Sequence, residues 1–228
     1  MAELESRFSG TQWIVGATML GIGFLIFITL HQALVIANQY FASLDGPAKF
    51  VLLPQTAIWF FLPGFAALTL PWDLTLWAWS AFGSKELALQ YEFWSNAKAG
   101  FNATRILRIM TALIVLPVAG LTVPALPEHD SLQETAIRSH RYGFVEAKIF
   151  DYSKATTLAV IDGFRGRDGR LTRRAGCVLY FSDDRKWSSA EIGDFKPNAD
   201  LTLLIFLESK TGLRPKHAET EAEINGSN

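Results

Sequence analysis

Cysteine is nearly absent: Cys177 stands alone among 228 residues, which excludes an intramolecular disulfide and any cluster of cysteine ligands. Positive charge is not in surplus either. With 21 Lys and Arg against 22 Asp and Glu, the formal net charge is −1, so the chain is not a globally basic nucleic-acid binder. No phosphate-cradling P-loop or Gly-x-Gly-x-x-Gly turn occurs, and Ser188-Ser189 lacks the Gly-x-Ser-x-Gly context of an activated serine. The most informative shortage is local. Only 12 of the 43 charged side chains fall in residues 1–127, and the stretches 8–44, 50–72 and 109–127 carry none over 37, 23 and 19 residues.

A helix of roughly 20 apolar residues crosses a hydrocarbon core of about 30 Å. One charge at its centre costs about 2.5–3.5 kcal/mol on the insertion scale. Three uncharged runs of this length therefore predict an integral membrane α-helical bundle of three transmembrane helices, at about 11–37, 50–72 and 104–126. Pro54, Pro63 and Pro71 argue against a helix in water, but within a bundle neighbouring helices satisfy the freed carbonyls, so the second span is expected to be helical and kinked. The first run is too long for the apolar core of a signal peptide and its flank is nearly neutral, so it is read as retained. Small residues (Ala17, Gly21, Gly23, Gly64, Ala66, Ala67) predict close helix approach.

Residues 73–100 are rich in aromatic rings and poor in charge, which suits a segment lying in the headgroup layer, or else a loop packed over the end of the bundle, with a helix starting at Ser84 and stopping between Asn96 and Gly100. Arg7, Lys85, Lys98, Arg105 and Arg108 fall on one side of this topology, against Lys49, Arg138 and Arg141 on the other. Lys and Arg collect on cytoplasmic flanks, so the count favours a cytoplasmic amino terminus and an extracytoplasmic carboxy-terminal domain, in a bacterial-type inner membrane or a plasma membrane.

Residues 128–215 read as a small α+β domain, an antiparallel β-sheet closed by a C-terminal helix at 199–211, followed by a disordered tail at 216–228. Asp168-Gly169 is a hairpin turn signal that sets residue numbers across the pair to a sum of 337. Leu158 then faces Leu179, Ala159 faces Val178 and Val160 faces Cys177, apolar against apolar. A second turn at Asp183-Asp184 is expected to place Tyr180 opposite Trp187. Leu203, Leu204 and Leu207 form the expected apolar face of the helix, and Gly212 its end. A sheet of this size is expected to fold independently of the bundle.

Four groups of residues are candidates for chemistry. Arg165, Arg167, Arg170, Arg173 and Arg174 lie within eleven residues and suit an anionic ligand or acidic partner, or else a solvated hairpin tip. His31 is a possible intramembrane ligand of a cofactor, or a hydrogen-bonding contact between helices; bis-histidine haem would need a second membrane histidine, and the spans hold none. Glu128, His129, Asp130 and His140 have the side-chain types of a zinc site, but their spacing fits no two-ligand helical face, and a polar juxtamembrane linker is the plainer expectation. Cys177 is expected to point inward from a strand, shielded from reaction. The expected function is thus a non-enzymatic structural or accessory subunit of a membrane complex. It would anchor a small extracytoplasmic β-domain and work with membrane lipid and with other membrane subunits or further copies of itself, not with nucleic acid. The alternative is a membrane enzyme with a metal-assisted site at the junction of bundle and domain.

Overall fold

The long apolar stretches of the amino-terminal half form helices, which satisfy their backbone polar groups internally. The computed structural model describes residues 2–54, 58–143, 146–165, 171–172, 176–191, 201–220 and 223–224, with 58, 163–165 and 171–172 defined by backbone alone. The chain divides into two units, Met1–Ile36 with Thr56–Val123 and Ala37–Gln55 with Pro124–Asn228.

The first unit is helical: α1 (Ala2–Phe8), α2 (Thr11–Ser43, whose last turns belong to the second unit), α3 (Ile58–Phe82), α4 (Lys85–Ala99), α5 (Ala103–Met110) and α6 (Leu116–Thr122). A π-helical turn, Thr111–Val115, joins α5 to α6, with the Leu116 N–H donating to the Thr111 carbonyl. Pro117 follows at once; its ring would clash with the carbonyl four residues back, and the wider turn relieves this. Two helices are long and apolar enough to cross a membrane, α2 and the continuous helical run Ala103–Ala125, each reaching a mean hydropathy of 2.2. Only 11% and 6% of their most apolar stretches are buried, whereas the core helix of a water-soluble domain would be mostly covered.

The region expected as a second span, 50–72, is divided differently. Phe50–Leu52 is a strand, and the helix begins at Ile58 and runs on to Phe82. Pro54 biases the residue before it away from helical geometry, and the helix absorbs Pro63 and Pro71 instead. It also absorbs Asp73, whose Oδ1 accepts from Arg108 Nε at 2.9 Å and Nη2 at 2.7 Å. Residues 73–82 are therefore part of α3, not of a separate interfacial segment. Helix α4 does start at Ser84, whose hydroxyl accepts from the Leu87 N–H, and Gly100 caps its end. It is packed rather than free, because Tyr91 and Trp94 are buried with Phe8, Val15, Trp72 and Leu76 in an aromatic core. Polar groups in that core are paired: Trp72 Nε1 donates to Thr104 Oγ1 at 2.9 Å and Trp94 Nε1 to Glu5 Oε2 at 2.8 Å. Glycine matters at one helix contact. A Cβ on Gly23 would lie 2.8 Å from the Ala67 carbonyl oxygen, for which Pro71, lacking an N–H, supplies no donor four residues on. Gly21 and Gly64 have no such neighbour within 4 Å.

The second unit holds two sheets. One has the order β1-β2-β3-β4, from β1 (Phe50–Leu52), β2 (His129–Leu132), β3 (Ala136–His140) and β4 (Lys148–Asp151), all antiparallel. The other runs β6-β5-β7-β8, from β5 (Ala155–Arg165), β6 (Leu171–Thr172), β7 (Gly176–Phe181) and β8 (Lys186–Ser188), with β9 (Lys216–Thr220) pairing parallel to β5. The stretch expected as a disordered tail thus contributes an edge strand, and the sheet is not purely antiparallel. Leu158↔Leu179, Ala159↔Val178 and Val160↔Cys177 are paired as the turn arithmetic requires. Trp187, however, faces Leu179 rather than Tyr180. The turn holds three residues, closed by Phe181 N–H to Arg185 O, with Asp184 left-handed at φ 59°, and this moves the register by one. Helix α7 (Leu201–Thr211) buries Leu203, Phe206 and Leu207 against Leu132, Ile137, Leu158, Val160, Leu179 and Trp187, a core to which both sheets contribute.

The Gly23 contact is testable in detergent-solubilised protein. Gly23→Ala should lower stability by roughly 1–3 kcal/mol through overpacking against the α3 backbone, whereas Gly21→Ala should be neutral or slightly stabilising. Thermal unfolding of the two variants checks this; equal midpoints would refute the close approach.

Candidate functional site

Along β2 successive side chains point to opposite faces of the sheet, and all four are buried. His129 and Ser131 share one face, Asp130 and Leu132 the other. His129 is paired with His140 across the β2–β3 ladder. Eleven residues apart in sequence, the two are direct neighbours on one face, their rings stacked with centroids 4.5 Å apart and planes at 19°. The expected linker is therefore a buried strand, and the ligand-type residues that no helical spacing could bring together are joined by strand register.

Asp45 completes the group. It follows the C-terminus of α2, where Asp45 N–H donates to the Ala42 carbonyl and Gly46, at φ 87°, turns the chain out of the helix. Its carboxylate lies between the two imidazoles, Oδ2 at 3.0 Å from His129 Nε2 and Oδ1 at 3.0 Å from His140 Nε2. Gln133 Nε2 donates to the Asp45 backbone carbonyl at 2.6 Å and fixes the loop. Burial pushes the Asp45 carboxyl up, but Ser131, His140 and His129 together outweigh it and hold the group below the ordinary aspartate range.

The tautomer of His129 is constrained. Its Nδ1 lies 2.7 Å from the Pro127 carbonyl oxygen, which can only accept, so Nδ1 carries a hydrogen. A neutral His129 then presents the bare lone pair of Nε2 to a carboxylate oxygen. That arrangement is repulsive unless something positive, a proton or a cation, lies between them. His129 is 1% exposed and the Asp45 side chain 8%, so water screens the contact little, while His140 at 21% faces the open side.

Asp130 and Glu128, expected beside the histidines, do not join them. Asp130 projects to the core face, where Oδ1 accepts from Arg141 Nη1 at 2.9 Å and Oδ2 from Trp187 Nε1 at 2.7 Å. Arg141 also reaches Glu191 Oε2 at 3.2 Å. Desolvation dominates at Asp130 and raises its carboxyl above the usual range despite these donors; burial likewise raises Glu128, with Arg141 opposing. Asp45 was the residue the sequence reading missed. Its signal was its isolation, since it and Lys49 are the sole charges between residues 8 and 72.

Among the described residues His31 meets aromatic rings, Phe27 at 6.2 Å and, from α3, Phe60 at 5.0 Å. Cys177 is fully buried on β7. Arg167, Arg170, Arg173 and Arg174 lie outside the described residues, as does the side chain of Arg165. Compared with protein-family models and with curated proteins, the sequence matches none.

Removing one donor from a fully buried carboxylate leaves it short of a partner. Trp187→Phe should therefore destabilise the protein by about 1–3 kcal/mol, and Arg141→Gln by about 3 kcal/mol, at the lower end for a buried pair because the arginine is partly exposed. Denaturant unfolding of the detergent-solubilised chain measures both, and a neutral Trp187→Phe would show that Asp130 does not depend on the indole.

Proposed function

We propose that this protein is an integral membrane accessory subunit, non-enzymatic, that anchors its β-rich unit at a bilayer surface for docking to other membrane subunits or to further copies of itself. The observation that supports this reading most is uncovered apolar surface on helices of spanning length. Trp13, Leu20 and Phe24 on α2 are 84%, 79% and 65% exposed, and Leu113 and Leu116 are 69% and 66% exposed. Each such side chain left in water forgoes roughly 1.5–3 kcal/mol that an apolar surrounding would supply. Lipid is that surrounding.

Helix α3 is the third span in this reading. It has 25 residues with Phe60, Phe61 and Leu68 exposed, and its one charge, Asp73, is paired with Arg108. A three-span topology with Arg7, Lys85, Lys98, Arg105 and Arg108 on the cytoplasmic side leaves the β-rich unit extracytoplasmic. The arginines of 165–174 make an anionic ligand or acidic partner surface the natural contact of that unit. A second reading, a membrane enzyme with metal-assisted chemistry, is favoured by the Asp45–His129–His140 grouping and stands only if that grouping holds an ion.

Leu113→Lys separates lipid from water as the surrounding. In water an exposed leucine-to-lysine change falls within about ±0.5 kcal/mol. At the centre of a span it costs about 2.5–3.5 kcal/mol. The expected outcome is a marked loss of carbonate-resistant membrane integration for Leu113→Lys beside a fully integrated wild type. Undiminished integration, or a wild-type chain that carbonate releases, would overturn the proposal.

A further inference from the structure

The Asp45 carboxylate and the two imidazoles of His129 and His140 offer one carboxylate oxygen and two ring nitrogens, all within 4.8 Å of one another. We infer that these three side chains bind a divalent first-row transition cation of the zinc type. Four observations carry the inference, and none depends on where the helices reside.

The donor set is the first. Two imidazole nitrogens with a single carboxylate match borderline cations such as zinc or ferrous iron, whereas magnesium and calcium prefer all-oxygen shells. The second is spacing. A tetrahedral ion with bonds of about 2.0–2.1 Å holds neighbouring ligand atoms about 3.3–3.4 Å apart. Each histidine nitrogen lies 3.0 Å from one aspartate oxygen and the ligand atoms lie within 4.8 Å of one another, so the two imidazoles, now 19° from parallel, need to tilt toward each other to converge on the ion.

The third observation is the hydrogen on His129 Nδ1, donated at 2.7 Å to the Pro127 carbonyl. A metal-ligating histidine is normally oriented in this way, with its second nitrogen bonded to a carbonyl or carboxylate so that the first directs its lone pair at the metal. Here that lone pair is aimed at a carboxylate, an arrangement that a bound cation makes favourable. The fourth is the field. Asp45 lies immediately past the C-terminus of the 33-residue helix α2, where the aligned peptide dipoles end in negative potential and favour positive charge. Three protein ligands leave one coordination position for water or an exogenous group, and the partly exposed His140 marks the open side.

The test uses the full chain in mild detergent, with any affinity tag removed and metal stripped by chelation. Zinc is titrated in competition with a chromophoric chelator, and cobalt(II) replaces it for absorption spectroscopy. Wild type should bind one equivalent of zinc, show the intense visible bands of four-coordinate cobalt, and remain indifferent to millimolar magnesium. Loss of a second-sphere contact commonly weakens metal binding about 10–100-fold, so His140→Gln and Asp45→Asn should each cost at least about 100-fold. His140 is the less buried histidine and its variant keeps a polar side chain, which guards the fold; circular dichroism confirms it. His217→Gln, on β9, should leave affinity unchanged. If wild type takes up no stoichiometric zinc, or if the folded His140→Gln protein retains wild-type affinity, the inference is wrong.

Discussion

Directional polar contacts between side chains organise both units. In the helical unit Thr104 accepts from Trp72, Glu5 accepts from Trp94 and Lys98, and Asp73 accepts from Arg108. In the β-rich unit Asp130 is held by Arg141 and Trp187, and Asp45 lies between two histidines. All but Asp130–Arg141, 11 residues apart, join segments at least 32 residues apart in sequence. Apolar burial supplies the driving force, but it is indifferent to which element meets which. The polar contacts are directional, so they select one arrangement among the many that would bury the same surface.

Strand β2 shows how economically such selection is made. Four residues, His-Asp-Ser-Leu, supply ligand-type and polar groups to one face and a carboxylate and core leucine to the other. Its neighbours then determine the chemistry: β3 brings His140, and the loop after α2 brings Asp45. A slip of one residue in this ladder would turn His129 into the core and Asp130 toward Asp45, setting two carboxylates against each other. The placement of these groups therefore also guards the register.

Much of the architecture was legible, and what escaped did so for identifiable reasons. The uncharged runs announced α2 and the helix through Ala103–Ala125 because length and composition are local properties. The β5–β7 register was readable from Thr157 to Ile161 because apolar alternation matches there; it shifts by one at Ala155 and in the β5–β6 pairs Phe164↔Thr172 and Arg165↔Leu171, and Asp168-Gly169 lies outside the described residues. Trp187 was misplaced by one position because the closing turn uses a left-handed Asp184, which composition does not reveal. Strands β1 and β9, of three and five residues, were invisible: neither is long enough to display a period, and each pairs with a distant segment. The site followed the same division. His129 and His140 were suspected from their side chains, but their proximity is a property of strand register. Asp45 is separated from them by 84 and 95 positions, which no spacing rule spans.

The provenance of β1 has a consequence for how the molecule is made. Phe50–Leu52 leaves the ribosome while its partner β2 is still unsynthesised, and all of α3 to α6 intervenes before the two can pair. β9, which lines the edge of β5, is translated last of the strands. Residues 128–228 alone, expected to be a self-sufficient domain, lack both this first strand and Asp45. Closing so long a loop is entropically unfavourable and slow. During biogenesis β1 must therefore wait as an unpaired hydrogen-bonding edge, and maturation of the β-rich unit is timed by the emergence of the helices that separate its parts.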